Sequence, residues 1–285
     1  MRPASALKQD LEVVRTLGDL IDVLKTTAII QFRAFQRKQK TNRLFFNEIE
    51  DCFRLLLTKK VVHPYLFDRQ ALPTAILVVT SDEGFLGELN TMLINTALDQ
   101  KRERQDEIIV MGERGARYLE DMLENFKFFQ GISDQMNYFE AESIRDYLIE
   151  GYHKRFGRVL IVYPEFISLA SQKVSLFRLL PWSEVSYEKE KAVSGSLANE
   201  LLIEPNPYRV LETMIGLWTA FKLQGIFWSS KQAEFAARIM HLEASTQEIG
   251  QLTQKFSLEY FRQVHALKDK VIREISASKI LLSKR

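Results

Sequence analysis

The placement of proline constrains this chain more than any other feature. Its seven prolines are Pro3, Pro64, Pro73, Pro164, Pro181, Pro205 and Pro207, so residues 4–63 and 208–285 contain none. Proline inside a helix removes a backbone donor and clashes with the preceding turn, at a cost of about 3 kcal/mol. Two proline-free segments on either side of a punctuated middle can therefore each form one long helix.

In the first segment Leu7, Leu11, Val14, Leu17, Ile21, Leu24, Ala28, Phe32, Phe35, Asn42, Phe46, Ile49, Phe53 and Leu56 fall mostly three or four apart. That is the narrow stripe of a coiled-coil seam rather than the broad face of a globular helix, with Asn42 its weaker point. The last segment repeats the pattern through Phe235, Ile239, Leu242, Ile249, Leu252, Phe256, Tyr260, Val264, Leu267, Val271 and Ile275. Its start is marked by "EPNPYRV", where Asn206 can cap free amides and Pro207 fits the first turn, in which a missing N–H costs nothing. Helical to near its end, it spans about 110 Å at about 1.5 Å per residue. A stripe of that length must be buried, and the economical partner is the N-terminal helix, packed antiparallel.

The middle alternates. "AILVVT" (75–80), "EIIVM" (107–111), "RVLIVY" (158–163) and "KVSLFRLLP" (173–181) are strand-like, and 88–101, 113–125 and 140–155 are helix-like. This order predicts an α/β class: a small Rossmann-like layer with a mainly parallel sheet, set between the two coiled-coil helices. The expected organisation is an N-terminal helix over 1–62, an α/β domain over 63–204 and a C-terminal helix over 205–285. The polar stretch 183–200 reads as a loop or insertion.

Composition excludes several classes. With 46% hydrophobic and 27% charged residues the chain is globular, and a net charge of +2 gives no case for a general nucleic-acid binder. Cys52 is the single cysteine, so no intrachain disulfide forms; a buried structural thiol is expected. The start "MRPASALKQDLEVV" lacks the apolar core of a signal peptide, and no stretch has the roughly 18 apolar residues of a membrane span, so a soluble or peripheral protein is expected.

Catalytic chemistry is hard to find. Gly84 and Gly87 in "TSDEGFLGELN" follow a strand and precede a helix, the setting of a phosphate turn, but the third glycine of a dinucleotide site and the lysine of a P-loop are missing. Glu113 beyond the second strand reads as a helix-start acid rather than a ribose ligand. His63, His153, His241 and His265 have no metal-ligand spacing and are expected on the surface or the seam. Ser81 and Asp82 have no histidine at a recognisable triad position. No cofactor and no metal are expected. "FRAFQRKQKTNR" places Arg33, Arg37, Lys38, Lys40 and Arg43 on the first helix, a solvated face or a track for an acidic partner.

These features together resemble the gamma subunit, the central shaft, of F-type rotary ATP synthases over nearly the whole chain. "HPYLFDR" (63–69) with "AILVVTSDEGFLGELN" is similar to that family's first strand and glycine turn, carried by Asp82, Gly84, Gly87, Leu89 and Asn90. "GERG" (112–115), "FISLASQKVSLFRLLP" (166–181), "EPNP" and "AEFAARIMHLEAST" (233–246) follow in the family's order. The resemblance implies a non-catalytic rotor subunit whose glycine turn holds no nucleotide. It implies three alpha and three beta subunits around the coiled coil, an epsilon subunit and a membrane carrier ring at the foot, and no nucleic acid. It further implies peripheral placement on the cytoplasmic face of the inner (plasma) membrane, and the lack of a transit-like start favours a bacterium over an organelle.

Residue by residue, the resemblance implies shaft and bearing contacts at Leu24, Arg33, Arg37, Lys38, Lys40, Glu234, Arg238, Thr246, Val264, His265 and Asp269. Glu204 and Asn206 fall at the foot. The basic stretch overlies the family's segment facing an acidic beta-subunit loop. The chain departs from the pattern at Glu83 (arginine in the family), Glu88 (glycine), Leu24 (methionine) and the polar run that becomes "FRQVHALKD", which makes it a divergent branch. A nucleotide-binding α/β enzyme with helical extensions and a non-rotary coiled-coil adaptor are the alternatives.

Overall fold

The computed structural model describes residues 3–57, 63–67, 69, 71–133, 138–182 and 203–282, with side chains described outside 38–51, 53–57, 138–140 and 279–282. Helix α1 is Ala4–Leu57, and β1 (Thr74–Val79), α2 (Leu89–Gln100), β2 (Glu107–Met111), α3 (Glu113–Asp121) and β3 (Phe126–Phe129) follow. Helix α4 (Tyr138–Lys154), β4 (Arg158–Ser168), β5 (Ser171–Leu180) and α5 (Pro207–Leu282) complete the order. Close packing groups these into two units, one of Met1–Ala28 with Ile239–Arg285 and one of Ile29–Arg238. The sequence divisions at 62/63 and 204/205 remain a proposal about chain organisation.

In the larger unit the strands run β3-β2-β1-β4-β5, the first four parallel and β5 antiparallel to β4. "AILVVT" is an unbroken apolar run because both faces of its strand are covered. Ala75, Leu77 and Val79 face α4 and the first half of α5 through Ile144, Leu148, Tyr152, Leu211, Ile215 and Trp218. Ile76 and Val78 face α2 and α3 through Leu93, Ile94, Ala97, Ala116 and Leu119. Within this unit α1 packs through Phe35 on Phe235 and Phe32 on Phe166, ring centroids 5.5 Å apart in each pair.

In the smaller unit α1 and α5 run antiparallel. Lys25 Nζ lies 3.3 Å from the Glu243 carboxylate, and Gly18 sits where a Cβ would be 3.3 Å from Ile249. Asp22 first, then Glu243, holds the Lys25 ammonium above its ordinary value by hydrogen bonding. Leu7, Leu11, Ala28 and Leu242 are buried there. Carried back to the start of α1, this register ends the pairing near His265, so the remainder of α5 has no facing stretch of α1.

Several expectations need correction. Leu17, Leu24, Leu252, Leu267, Val271 and Ile275 are exposed rather than on the buried seam. The last three lie beyond the register of α1, and the others sit on the outer flank of a pair with only one partner each. Strand β3, "FKFF", was not foreseen; four residues give too few alternations to read. Cys52 is exposed on α1, not buried. His63 is fully buried, neither on the surface nor on the helix seam. The polar stretch 183–200 and the side chains of Asn42, Phe46, Ile49, Phe53 and Leu56 lie outside the described residues.

The "GERG" glycines bring α3 hard against β1. A Cβ on Gly115 would overlap Thr80 Oγ1 and come within 2.7 Å of Thr80 Cγ2 and 2.8 Å of Val110 Cγ2. Gly115→Ala should therefore lower stability by about 1–3 kcal/mol, the usual penalty of overpacking. Urea denaturation of the full chain measures it, and an unchanged midpoint would show that α3 shifts freely.

Candidate functional site

In a strand order of this kind the chain reverses direction across the sheet between β1 and β4, and in open α/β sheets ligands occupy the crevice outside the strand ends at that point. Here the crevice is a small cleft lined by Val79, Thr80, Ser81, Asn90, Pro164, Ser230 and Glu234. The last two belong to α5, so a helix of the chain itself occupies the ligand side.

The amides of the second helix N-terminus beside this crevice, that of α3, are also engaged. At the start of α3 the Glu113 N–H donates to Asp82 Oδ1 (3.0 Å), the Arg114 N–H to the Ser81 carbonyl (3.0 Å) and the Gly115 N–H to Thr80 Oγ1 (3.2 Å). Asn90 Oδ1 accepts from the Ser81 N–H at 3.3 Å, Asn90 Nδ2 donates to Ser81 Oγ at 2.9 Å, and Ser81 Oγ donates to the Glu83 carbonyl at 2.7 Å. A helix N-terminus attracts anions because its first amides are free; in α3 those three amides are not. The turn has two left-handed residues, Phe85 at φ 64° and Gly87 at φ 59°, and glycine takes the second without steric cost.

The strongest polar feature is a buried charge cluster on α5. Lys231, Glu234 and Arg238 share one helix face at i, i+3 and i+7. Lys231 Nζ is 3.1 Å and Arg238 Nη2 2.7 Å from the Glu234 carboxylate, with the three side chains only 7%, 8% and 7% exposed. Arg238 Nη2 also lies 3.1 Å from the carboxylate of Glu83, which is 73% exposed, and Arg238 Nε donates to the Gly84 carbonyl at 3.4 Å. Two buried cations thus face one buried anion, and Glu83 at the solvent edge brings the second negative charge. Burial is the largest influence on the Glu234 carboxyl and pushes it above its ordinary value, with Lys231 and then Arg238 acting the other way. Through Arg238 the glycine turn is tied to α5.

The structure separates the sequence-selected residues into two sets. Glu234 and Arg238 come together but point inward. Arg33 and Arg37 are exposed on α1, and the side chains of Lys38 and Lys40 lie outside the described residues. Leu24 is 43% exposed; His265 and Asp269 are exposed and Val264 half-buried on α5. Thr246 spends its hydroxyl on the Leu242 carbonyl of its own helix, 2.9 Å away. Asn206 Oδ1 accepts from the Arg209 N–H at 2.9 Å, the cap its position predicts, and Glu204 is exposed beside it. Lys231 and Glu83 were not selected as site residues. The Lys231, Glu234, Arg238 spacing is readable in the sequence; Glu83 stands out only as a departure from the family pattern, and its pairing with the distant Arg238 is not readable.

Removing one partner of a buried ion pair costs about 3–5 kcal/mol, because the other charge stays buried, whereas an exposed partner is worth about 1 kcal/mol or less. Glu234→Gln should lower full-chain stability by about 3 kcal/mol and Glu83→Gln by less than about 1 kcal/mol. Equal effects in urea denaturation would mean that Glu234 is not the centre of the cluster.

A family model described as ATP synthase matches residues 4–277. The chain is 25% identical over 281 residues to the ATP synthase gamma chain of Desulfitobacterium hafniense, covering 96% of this chain and 97% of that one. It is 26% identical over 263 residues to the gamma chain of Clostridium beijerinckii, covering 90% of each. Its fold matches a chain of the Euglena gracilis mitochondrial ATP synthase OSCP/F1/c-ring assembly in rotational state 3 with a TM-score of 0.70 at 17% identity, covering 98% and 94%. A chain of the Euglena rotor in rotational state 1 gives a TM-score of 0.65 at 16% identity, covering 93% and 98%. With a family model spanning nearly its full length, the chain belongs to the ATP synthase family.

Proposed function

We propose that this chain is the central rotor shaft of an F-type ATP synthase or ATPase, of the gamma type. It passes torque between ion flow through a membrane ring and nucleotide chemistry on three alpha and three beta subunits, with an epsilon subunit at its foot. The observation that carries this reading is the surface of the antiparallel helix pair. Along α1, Val13, Leu20 and Val23 are 58%, 56% and 64% exposed, and along α5, Leu258, Phe261 and Ile272 are 54%, 57% and 60% exposed. Large apolar side chains repeated along both helices suit a surface that turns inside a surrounding ring. The gamma-chain relatives, matched over nearly their whole length, support the same reading.

The shaft itself carries out no catalysis. The crevice where an open α/β sheet would take a nucleotide is lined by Ser230 and Glu234 of the chain's own helix, and the three amides at the start of α3 are satisfied internally. Arg33 and Arg37, exposed on α1, suit an acidic beta-subunit loop, with Leu24, Val264, His265 and Asp269 as further bearing contacts. Glu234 and Arg238 act from inside, bracing the helix that carries those contacts. Among the described residues no helix is long and apolar enough to cross a membrane. Attachment through the carrier ring, on the cytoplasmic face of a bacterial inner membrane, accounts for membrane association.

A tagged copy purified from gently solubilised membranes should appear in native mass spectrometry as one copy with three each of two larger nucleotide-binding subunits. The double variant Leu20→Asp with Val23→Asp should reduce recovery of that complex about tenfold. Its effect on the chain alone should stay within about 1 kcal/mol, since both positions are exposed. Recovery of the chain alone, or tight ATP binding by the isolated chain, would overturn the proposal.

A further inference from the structure

His63 occupies an unusual position for an ionisable residue. It precedes the short turn Pro64–Leu66, and its Nδ1 accepts from the Tyr65 N–H at 3.3 Å, acting as the cap of that turn. A ring nitrogen that accepts carries no proton, so the neutral imidazole holds its hydrogen on Nε2. Nε2 is buried and has no hydrogen-bond partner among the described residues. The ring lies 4.8 Å from that of Tyr65 and 4.4 Å from that of Tyr208, in the first turn of α5. His63 therefore joins the turn to the base of α5 through ring contact and one cap that only its neutral form can make.

The surrounding groups strengthen the joint. The Tyr65 hydroxyl pairs with His153 Nε2 at the end of α4, and Tyr65 O accepts from the Trp182 N–H at 2.8 Å beyond β5. The Tyr152 hydroxyl donates to the Phe67 carbonyl at 2.8 Å, and Arg69 Nη1 donates to the Tyr152 and His153 carbonyls at 3.2 and 3.3 Å. The ionisable groups around His63 are thus Tyr65 on the turn, Arg69 beyond it, Tyr152 and His153 on α4, and Tyr208 and Glu212 on α5. Glu212 is the carboxylate that would attract a charged His63.

We propose that His63 is an acid-release catch: in its neutral form it fastens the turn at 63–67 to the first turns of α5, and its protonation opens that fastening. Protonation puts a hydrogen on Nδ1, which then faces the Tyr65 N–H donor to donor. It also places a charge among aromatic rings with no hydrogen bond to receive it, and a buried charge that lacks hydrogen bonds forces its surroundings open despite the attraction of Glu212. Burial first, and the nearby His153 in addition, lower the His63 value below its ordinary 6.5 against the opposing pull of Glu212. An unfolded histidine, at about 6.5, binds the proton more readily than the buried one. The catch therefore contributes fully above about pH 6.5 and is lost as pH falls through the lower folded value. The consequence is a foot of α5 that loosens on acidification while the sheet and the rest of the helix stay formed.

The test is hydrogen exchange of the full chain at pH 7.5 and pH 5.0, corrected for intrinsic rates, alongside a His63→Asn variant. Asparagine keeps an acceptor oxygen for the cap and does not titrate. In the native chain, protection over residues 206–215 should fall at least tenfold at pH 5.0 while protection over β1 and β2 is retained; His63→Asn should show no such drop. A flat native profile, or the same drop in His63→Asn, would overturn the proposal, the latter because the effect would then not come from His63. Should His63→Asn not fold, an NMR titration of the native chain decides. A His63 ring that titrates at 6.5 or above, or titrates without moving the Tyr208 signals, contradicts the catch.

Discussion

The larger unit depends on helix α5 being part of its core. From Leu211 to Ala237 the helix is buried on several faces in turn: Leu211, Ile215, Trp218, Leu223, Ile226 and Phe227 join the cluster on one side of the sheet, and Ala237 joins the cluster on the other. Long helices gain most of their stability from such packing rather than from propensity. At Lys231, Glu234 and Arg238 the contact changes from apolar to ionic, which makes the position of the helix along the sheet specific as well as favourable. A hydrophobic surface tolerates sliding by a turn; a buried carboxylate between two cations does not.

The same helix accounts for what the α/β fold does in this chain. Its strand order and glycine turn belong to a group of folds that commonly bind nucleotides, and fold alone does not decide function. In this chain the crevice at the β1/β4 boundary is the seat of α5, and the glycine turn is a clasp on Arg238. A feature that in another protein would meet a phosphate here meets a guanidinium, and Glu83 gives the turn the sign of charge that the guanidinium needs.

Much of this was legible in the sequence because the signals were long or sharply placed. The absence of proline over 4–63 and 208–285 announced both helices, and Asn206 with Pro207 fixed the start of α5 because capping is local chemistry. The runs at 75–80 and 107–111 became strands almost to the residue, since apolar β-branched runs of that length between helices have few other uses. What the sequence did not yield depends on distance. The second partner of Arg238 is Glu83, more than a hundred residues away, and nothing in the sequence joins the two positions. Which side of each helix faces its partner also escaped: Leu17 and Leu24 satisfy the seam spacing yet are exposed, because a stripe fixes a face but not the one-sidedness of a two-helix contact. Glu234 and Arg238 match the family pattern of contact residues, and only the fold reveals that both are buried.

The most direct test of the rotor proposal uses the single cysteine. Cys52 is exposed on α1 of the isolated chain, so a probe can be attached to it before the chain is assembled with its partners. With the alpha and beta subunits fixed to a surface and ATP supplied, the account predicts continuous one-way rotation of the probe with three pauses in each turn. A complex that hydrolyses ATP at its full rate while the probe on Cys52 stays still would contradict the claim that this chain is the shaft.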